Sequence, residues 1–348
     1  MTQGYQHPVT LPGALRLHLN ENTAGCSPRV VDAIRELSRE DLALYPDYTR
    51  VNAVAAVYLG VPVSSLLLTN GLDEGIFLAA VLGQKRRPAD GAPESIVVLP
   101  AFDMYAITVD ACGGRVVTVA PNDDFSFPLA ATLSAITPRT RTVFITSPNN
   151  PTGVRVNNDA IRQVARALPP EAIVFVDEAY HDFSGDTIVP ELGGLPNVVV
   201  GRTFAKAQGL AALRAGLLAA VPETLDLFRP LVPPYSLNIA AAAALEAAIE
   251  DRDYVRWYVS QVTESRERFY AFCRRHGFHY WESAANFVLA RVGRHATGLT
   301  DALRAKGVYI RDKSSDPNCA GCIRVTTGVV DATDAAIAAM EEYLCAAQ

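Results

Sequence analysis

The chain has 348 residues, 49% of them hydrophobic and 20% charged, and its 31 Lys and Arg against 37 Asp and Glu leave a formal net charge of −6. This is the profile of a globular protein whose core is large enough to divide, and it argues against a nucleic-acid binder, since no basic stretch exists beyond QKRRP at Gln84–Pro88. No apolar run reaches membrane length, and the start MTQGYQHPVTLPGALRL lacks the form of a secretory signal, so no membrane contact and a cytoplasmic location are expected.

Taken in chain order, apolar runs alternate with alanine-rich stretches. SLLLTN (65–70), SIVVLP (95–100), RVVTVA (115–120), TVFITSP (142–148), AIVFVDEA (172–179) and NVVVGR (197–202) have the continuous apolar character of strands buried on both faces. Helices are expected between them over Glu74–Gln84, Tyr105–Cys112 and Asn158–Ala167. This alternation predicts an α/β domain on a mostly parallel sheet, with ligands beyond the carboxyl ends of the strands. Polar residues collect at those ends: Asn70 and Asp73, Asn149 and Asn150, Asp177 and Tyr180, then Lys206.

After Pro233–Pro234 one or two long alanine-rich helices follow, then strand candidates NFVLARV and GCIRVTTG with a helix between them and a last helix from about Asp331. These make a smaller α+β domain. The expected division is an arm over 1–28 belonging to the small domain, a large domain over 29–238 and the small domain over 239–348.

Six cysteines, Cys26, Cys112, Cys273, Cys319, Cys322 and Cys345, are scattered and read as reduced thiols. Cys319 and Cys322 form a CxxC without a second pair or ligand-spaced histidines, so an incidental loop pair is expected and no metal. Lys206 is the unusual residue: a hydrated cation set among small and apolar neighbours in GRTFAKAQGLAALRAG, with Arg214 eight positions on. Either it reaches water from a turn, or its amine does chemistry.

The ordered set LHLNEN, YPDY, TNGLDE, PAFDMY, SPNNPTG, VFVDEAY, RTFAKAQGLAALRAG, PPYSLN and RDKSSDPNCAGCIRVTTG resembles the pyridoxal-phosphate (PLP) aminotransferases of class I/II, and most closely the histidinol-phosphate aminotransferases. The resemblance runs over nearly the whole chain and implies the PLP-dependent transferase fold (fold type I). It implies that Lys206 forms the Schiff base with PLP and shuttles the substrate proton, that Asp177 pairs with the pyridinium nitrogen, and that Tyr180 and Asn150 bond the ring's phenolic oxygen. Tyr105 would stack on the ring. Arg214, Thr203 and the backbone of Leu72 and Asp73 would hold the phosphate at a helix start. Tyr45 would come from the neighbouring subunit of a homodimer with shared active sites. Two positions depart from the family pattern, Ala205 for a serine and Leu72 for serine or alanine, which points to altered cofactor affinity with the chemistry intact.

On the substrate side the resemblance implies Arg311 and Arg324 as anion-binding residues, with Tyr5 and Asn22 from the N-terminal arm beside them. Two guanidinium forks suit a dianion better than a carboxylate, although Arg311 could equally pair with Asp312 or Asp316 on the surface. The leading reading is transamination between L-histidinol phosphate and 2-oxoglutarate, in histidine biosynthesis. An aromatic amino-acid aminotransferase, a threonine-phosphate decarboxylase-like lyase and a PLP-binding sensor are the alternatives.

Overall fold

The computed structural model describes residues 11–347. Seven strands form the main sheet: β1 (Leu66–Asn70), β2 (Glu94–Val98), β3 (Arg115–Val119), β4 (Thr140–Thr146), β5 (Ile173–Asp177), β6 (Val198–Thr203) and β7 (Ala215–Ala219), in the order β1-β7-β6-β5-β4-β2-β3. Only β7 runs against its neighbours; β2 through β6 pair in parallel. Six strands lie within a residue or two of their expected positions. The seventh, AGLLA, is short and carries no β-branched residue, so its own sequence gives little strand signal.

Side chains alternate across this sheet. Val174, Val176, Val198 and Val200 join one core with the helices Pro28–Arg35, Thr49–Leu59 and Asn158–Ala167, whereas Phe144, Phe175, Val199 and Leu218 join a second under Gly71–Lys85 and Asp103–Ala111. Helices on both faces explain why the strand runs are apolar throughout.

The smaller unit is an antiparallel sheet of β8 (His279–Tyr280), β9 (Phe287–Arg291), β10 (Arg311–Asp312) and β11 (Cys322–Thr326), ordered β10-β11-β9-β8. Its core gathers Leu17 from the N-terminal arm, Phe269 and Phe272 from helix Arg252–Arg275, and Met340 from helix Val330–Ala346. The arm also pairs in parallel, Leu15–Arg16 with Val308–Tyr309. The long helical stretch resolves into two helices that part company. Ile239–Glu250, expected with the smaller domain, packs instead into the main core through Ala241, Ala244, Leu245 and Ala248, because its small side chains let it lie close against helix Pro28–Arg35. The boundary therefore falls near Asp251, which caps the next helix.

A third apolar cluster joins the two units. Tyr180 and Ala207 of the large one meet Tyr258, Val262 and Phe287 of the small one. The cleft lies above this junction. Among the described residues no helix is long and apolar enough to cross a membrane.

Candidate active site

The carboxyl ends of β1, β4, β5 and β6 and the edge of the small sheet enclose a cleft of about 650 Å³. Of the residues singled out by sequence, Lys206, Asp177, Tyr180, Leu72, Asp73, Tyr105, Asn150, Thr203, Arg214, Arg311 and Arg324 all line it. Tyr5 lies outside the described residues.

The cleft begins with an anion cradle. Helix Gly71–Lys85 starts directly after β1, and no side chain caps its first N–H groups. An uncapped start carries orphan donors and the positive end of the helix dipole. Arg214 reaches across it to pair with Asp73. The approach is so close that a β-carbon on Gly71 would lie 2.6 Å from Arg214 Nη2, and Gly71 also has φ +73°. Thr203 Oγ1 accepts the Ala205 amide at 3.2 Å, which fixes its hydroxyl at the cradle's rim. The Leu72 side chain is buried in the second core, so only its backbone faces the cleft chemistry.

At the end of β5, Asp177 is only 4% exposed, and burial pushes its carboxyl up to about 6. Two donors pull the other way: Tyr105 Oη donates to Oδ2 at 2.5 Å, and the Ala179 amide donates to Oδ1 at 2.9 Å. Thr146 Oγ1 lies 2.7 Å from Tyr105 Oη and completes the chain. Tyr105 is thus not a free ring face. Its ring lies on Phe144, with centroids 4.8 Å apart, and Phe102 meets it edge-on at 5.9 Å. The cleft wall also presents Phe102, which the sequence analysis did not single out within the same PAFDMY motif.

Lys206 donates from Nζ to the Leu19 carbonyl at 3.2 Å and lies 5.9 Å from the centre of the Tyr180 ring. Burial, then the charge of Arg324, hold its amine down to about 8. Tyr180 receives the Asn20 amide at 3.0 Å, and burial pushes its phenol up to about 12. Asn20 has φ +55° and also bonds Thr326, so the arm is tied to both units at this point. Here the structure corrects the expectation for LHLNEN. Asn22 donates its amide to the Ala207 carbonyl at 2.9 Å and does not line the cleft; Asn20 does. Two asparagines two positions apart are indistinguishable by type, and only the turn at Asn20 decides between them.

Arg311 and Arg324 are direct partners across β10 and β11. Opposite residues of an antiparallel pair share a face, and like charges there repel. Arg324 is held by the His18 carbonyl at 2.6 Å and by Asn150 Oδ1, over the Phe287 ring at 5.3 Å. Asp316, a possible surface partner of Arg311, pairs with Lys313 at 2.5 Å. Tyr45 stands apart from the cleft, 78% exposed and stacked on Tyr235 with centroids 4.1 Å apart. Glu178, beside Asp177 in DEAY, is structural: buried, it accepts Arg202 Nε at 2.8 Å and the Ile188 amide at 2.9 Å.

A buried acid, an amine of depressed pKa, an anion cradle and a pair of guanidinium groups thus converge on one cleft. A family model described as aminotransferase class I and II matches residues 12–340. The chain is 33% identical over 332 residues to the histidinol-phosphate aminotransferase of Dehalococcoides mccartyi, covering 94% of this chain and 90% of that one. To the histidinol-phosphate aminotransferase of Moorella thermoacetica it is 35% identical over 314 residues, 88% of this chain and 79% of that one. The solved histidinol-phosphate aminotransferase of Sinorhizobium meliloti, in complex with pyridoxal-5'-phosphate, matches with a TM-score of 0.86 at 27% identity over 96% of this chain and 91% of that one. With nearly its whole length matched, the chain belongs to the class I and II aminotransferases.

Proposed function

We propose that this aminotransferase moves an amino group between L-histidinol phosphate and 2-oxoglutarate with PLP held in the cleft, and so serves histidine biosynthesis. The observation that supports the donor is the Arg311–Arg324 pair, two forks on one sheet face whose mutual repulsion a phosphate dianion relieves. The cradle at Gly71 and Arg214 fits the cofactor's phosphate, and Asp177 fits its protonated ring nitrogen. When bound, PLP supplies the sink for the electrons left as the substrate α-carbon loses its proton.

The remaining work falls to the chain. Lys206 would be the amine that holds the cofactor through its aldehyde carbon and the base that takes the substrate α-proton; an amine held down to about 8 is substantially neutral at mildly alkaline pH. Asp177 would pair with the ring N–H⁺, which favours its carboxylate form, with Tyr105 and Ala179 fixing its orientation. Asn150 uses its oxygen for Arg324, which leaves its amide to donate to the ring's phenolic oxygen alongside the Tyr180 hydroxyl. This links the grip on the substrate to the grip on the cofactor. Phe102 would cover the ring face, and Arg214, Thr203 and the Leu72 and Asp73 amides would hold the phosphate.

The exposed run Leu42, Leu44 and Tyr45, with Tyr235 against it, supports a homodimer in which Tyr45 completes the partner's cleft. Free thiols at all six cysteines suit a cytoplasmic location. Spectral half-reactions with histidinol phosphate, phenylalanine and threonine phosphate test the reading. Histidinol phosphate should give the highest kcat/KM; preference for phenylalanine selects the aromatic enzyme, carbon dioxide release from threonine phosphate selects the lyase, and an unresponsive absorption band selects a sensor.

A further inference from the structure

Cys319 and Cys322 take no part in this chemistry, yet they sit next to it. The Cys322 amide donates to the Cys319 carbonyl at 2.8 Å, closing a four-residue β-turn with Gly321 at φ +70°. Such a turn keeps its end Cα atoms within about 7 Å, inside the span a disulfide bridges. Both side chains are 0% exposed and pack with Phe125, Trp281 and Leu289, but Pro317, Asn318 and Ala320 around them are exposed, so a local opening of the turn uncovers them. Arg291, lying over Trp281 at 5.2 Å, donates to the Asn318 carbonyl at 2.9 Å. The hydrogen bond from the Cys319 thiol, and with it Arg291, draw the Cys322 thiol below its ordinary value against the opposing effect of burial. Among the described residues no third ligand joins them to hold a metal. The turn is also wired to the substrate side of the cleft. Lys313 donates its amide to the Cys322 carbonyl at 2.8 Å, Cys319 donates to Asp316 at 3.0 Å, and Arg324 follows two residues later on β11.

We propose that Cys319 and Cys322 form a reversible dithiol–disulfide site, oxidised by a hydroperoxide, whose closure disturbs the arginine pair that grips the substrate anion. The Cys322 thiolate attacks one peroxide oxygen, the O–O bond breaks, and the sulfur becomes a sulfenic acid as hydroxide leaves. The Cys319 sulfur then attacks Cys322, the S–S bond forms, and the displaced hydroxide takes up the thiol proton as water. Two thiols lose two electrons and two protons, and one hydrogen peroxide becomes two waters. A dithiol reductant reverses the change.

The effect on the anion site rests on the proposed function; the oxidation itself does not. Holoenzyme is treated with hydrogen peroxide, alkylated and digested with trypsin. The peptide Ser314–Arg324 should lose two hydrogens and both alkylation sites, and Cys319→Ser should stall with a dimedone-reactive Cys322. KM for whichever amino donor is turned over should rise several-fold with kcat little changed, recover with dithiothreitol, and stay constant in Cys319→Ser/Cys322→Ser. A Ser314–Arg324 peptide still doubly alkylated when exposed Cys345 is already oxidised overturns the site. A disulfide that leaves KM unchanged overturns its coupling to the cleft.

Discussion

At the scale of single residues, the proposed function assigns Arg311 to the grip on the substrate and Tyr105 to the grip on the cofactor. Arg311→Gln removes one fork of the pair and leaves the cofactor's own contacts in place, so KM for histidinol phosphate should rise roughly 10- to 100-fold, the value of one charge-assisted hydrogen bond, with kcat little altered. Steady-state kinetics check this, and equal losses in kcat and kcat/KM would place Arg311 in the chemical step instead. Tyr105→Phe acts on Asp177. The lost O–H donor had favoured the carboxylate, so its pKa moves up from about 6, and the acid-side loss of cofactor binding should begin at higher pH, by roughly one unit. Titrating PLP binding against pH reads it, and an unchanged acid limb would mean that Tyr105 only fills space. That Lys206, Asp177 and Arg214 meet in one cleft was legible in the sequence, because these residue types have few alternatives in such settings. Tyr105 and Asn22 were not: an aromatic or an amide has several uses, and only Phe144 beneath the tyrosine and the turn at Asn20 select among them.

Among elements, the uncapped start of helix Gly71–Lys85 is where fold and function meet. Its N–H groups lack a side-chain cap, a cost that an occupying phosphate offsets. Gly71→Ala drives a β-carbon into Arg214 at a backbone angle that alanine resists, so cofactor affinity should fall at least tenfold while the apo fold persists. Equilibrium dialysis measures the first and circular dichroism the second; unchanged affinity would move the phosphate elsewhere. The pair Arg202–Glu178 tests β5 and β6 without touching the cleft. Arg202→Met leaves a buried carboxylate unpaired and should cost about 3–5 kcal/mol in urea unfolding. The parallel strands could be read from sequence because burial on both faces removes polar alternation. β7 and the allegiance of Ile239–Glu250 could not, since alanine-rich segments carry weak periodicity and take their place from what they pack against.

For the molecule as a whole, the site is held at a cost to stability, which PLP bound there would offset. The folded state depresses Lys206 from 10.5 to about 8, so the penalty of burying its ammonium is complete below pH 8 and fades as pH rises from 8 to 10.5. Asp177, raised from 3.8 to about 6, costs most above pH 6 and nothing below 3.8. Both penalties are present at pH 7. Cofactor-free Lys206→Met should therefore melt on the order of a few degrees higher than the parent at pH 7, and the gain should shrink toward pH 10. A lower melting temperature would show that the amine stabilises the fold. The chain contains four lysines, Lys85, Lys206, Lys306 and Lys313, and two of them line the cleft. Lys313 is engaged with Asp316, whereas Lys206 is buried in the cleft within reach of the charges of Asp73 and Asp177. Borohydride reduction of the PLP-loaded enzyme followed by peptide mapping should find the cofactor fixed to Lys206 alone; its attachment to Lys313, or to no lysine, would contradict the account.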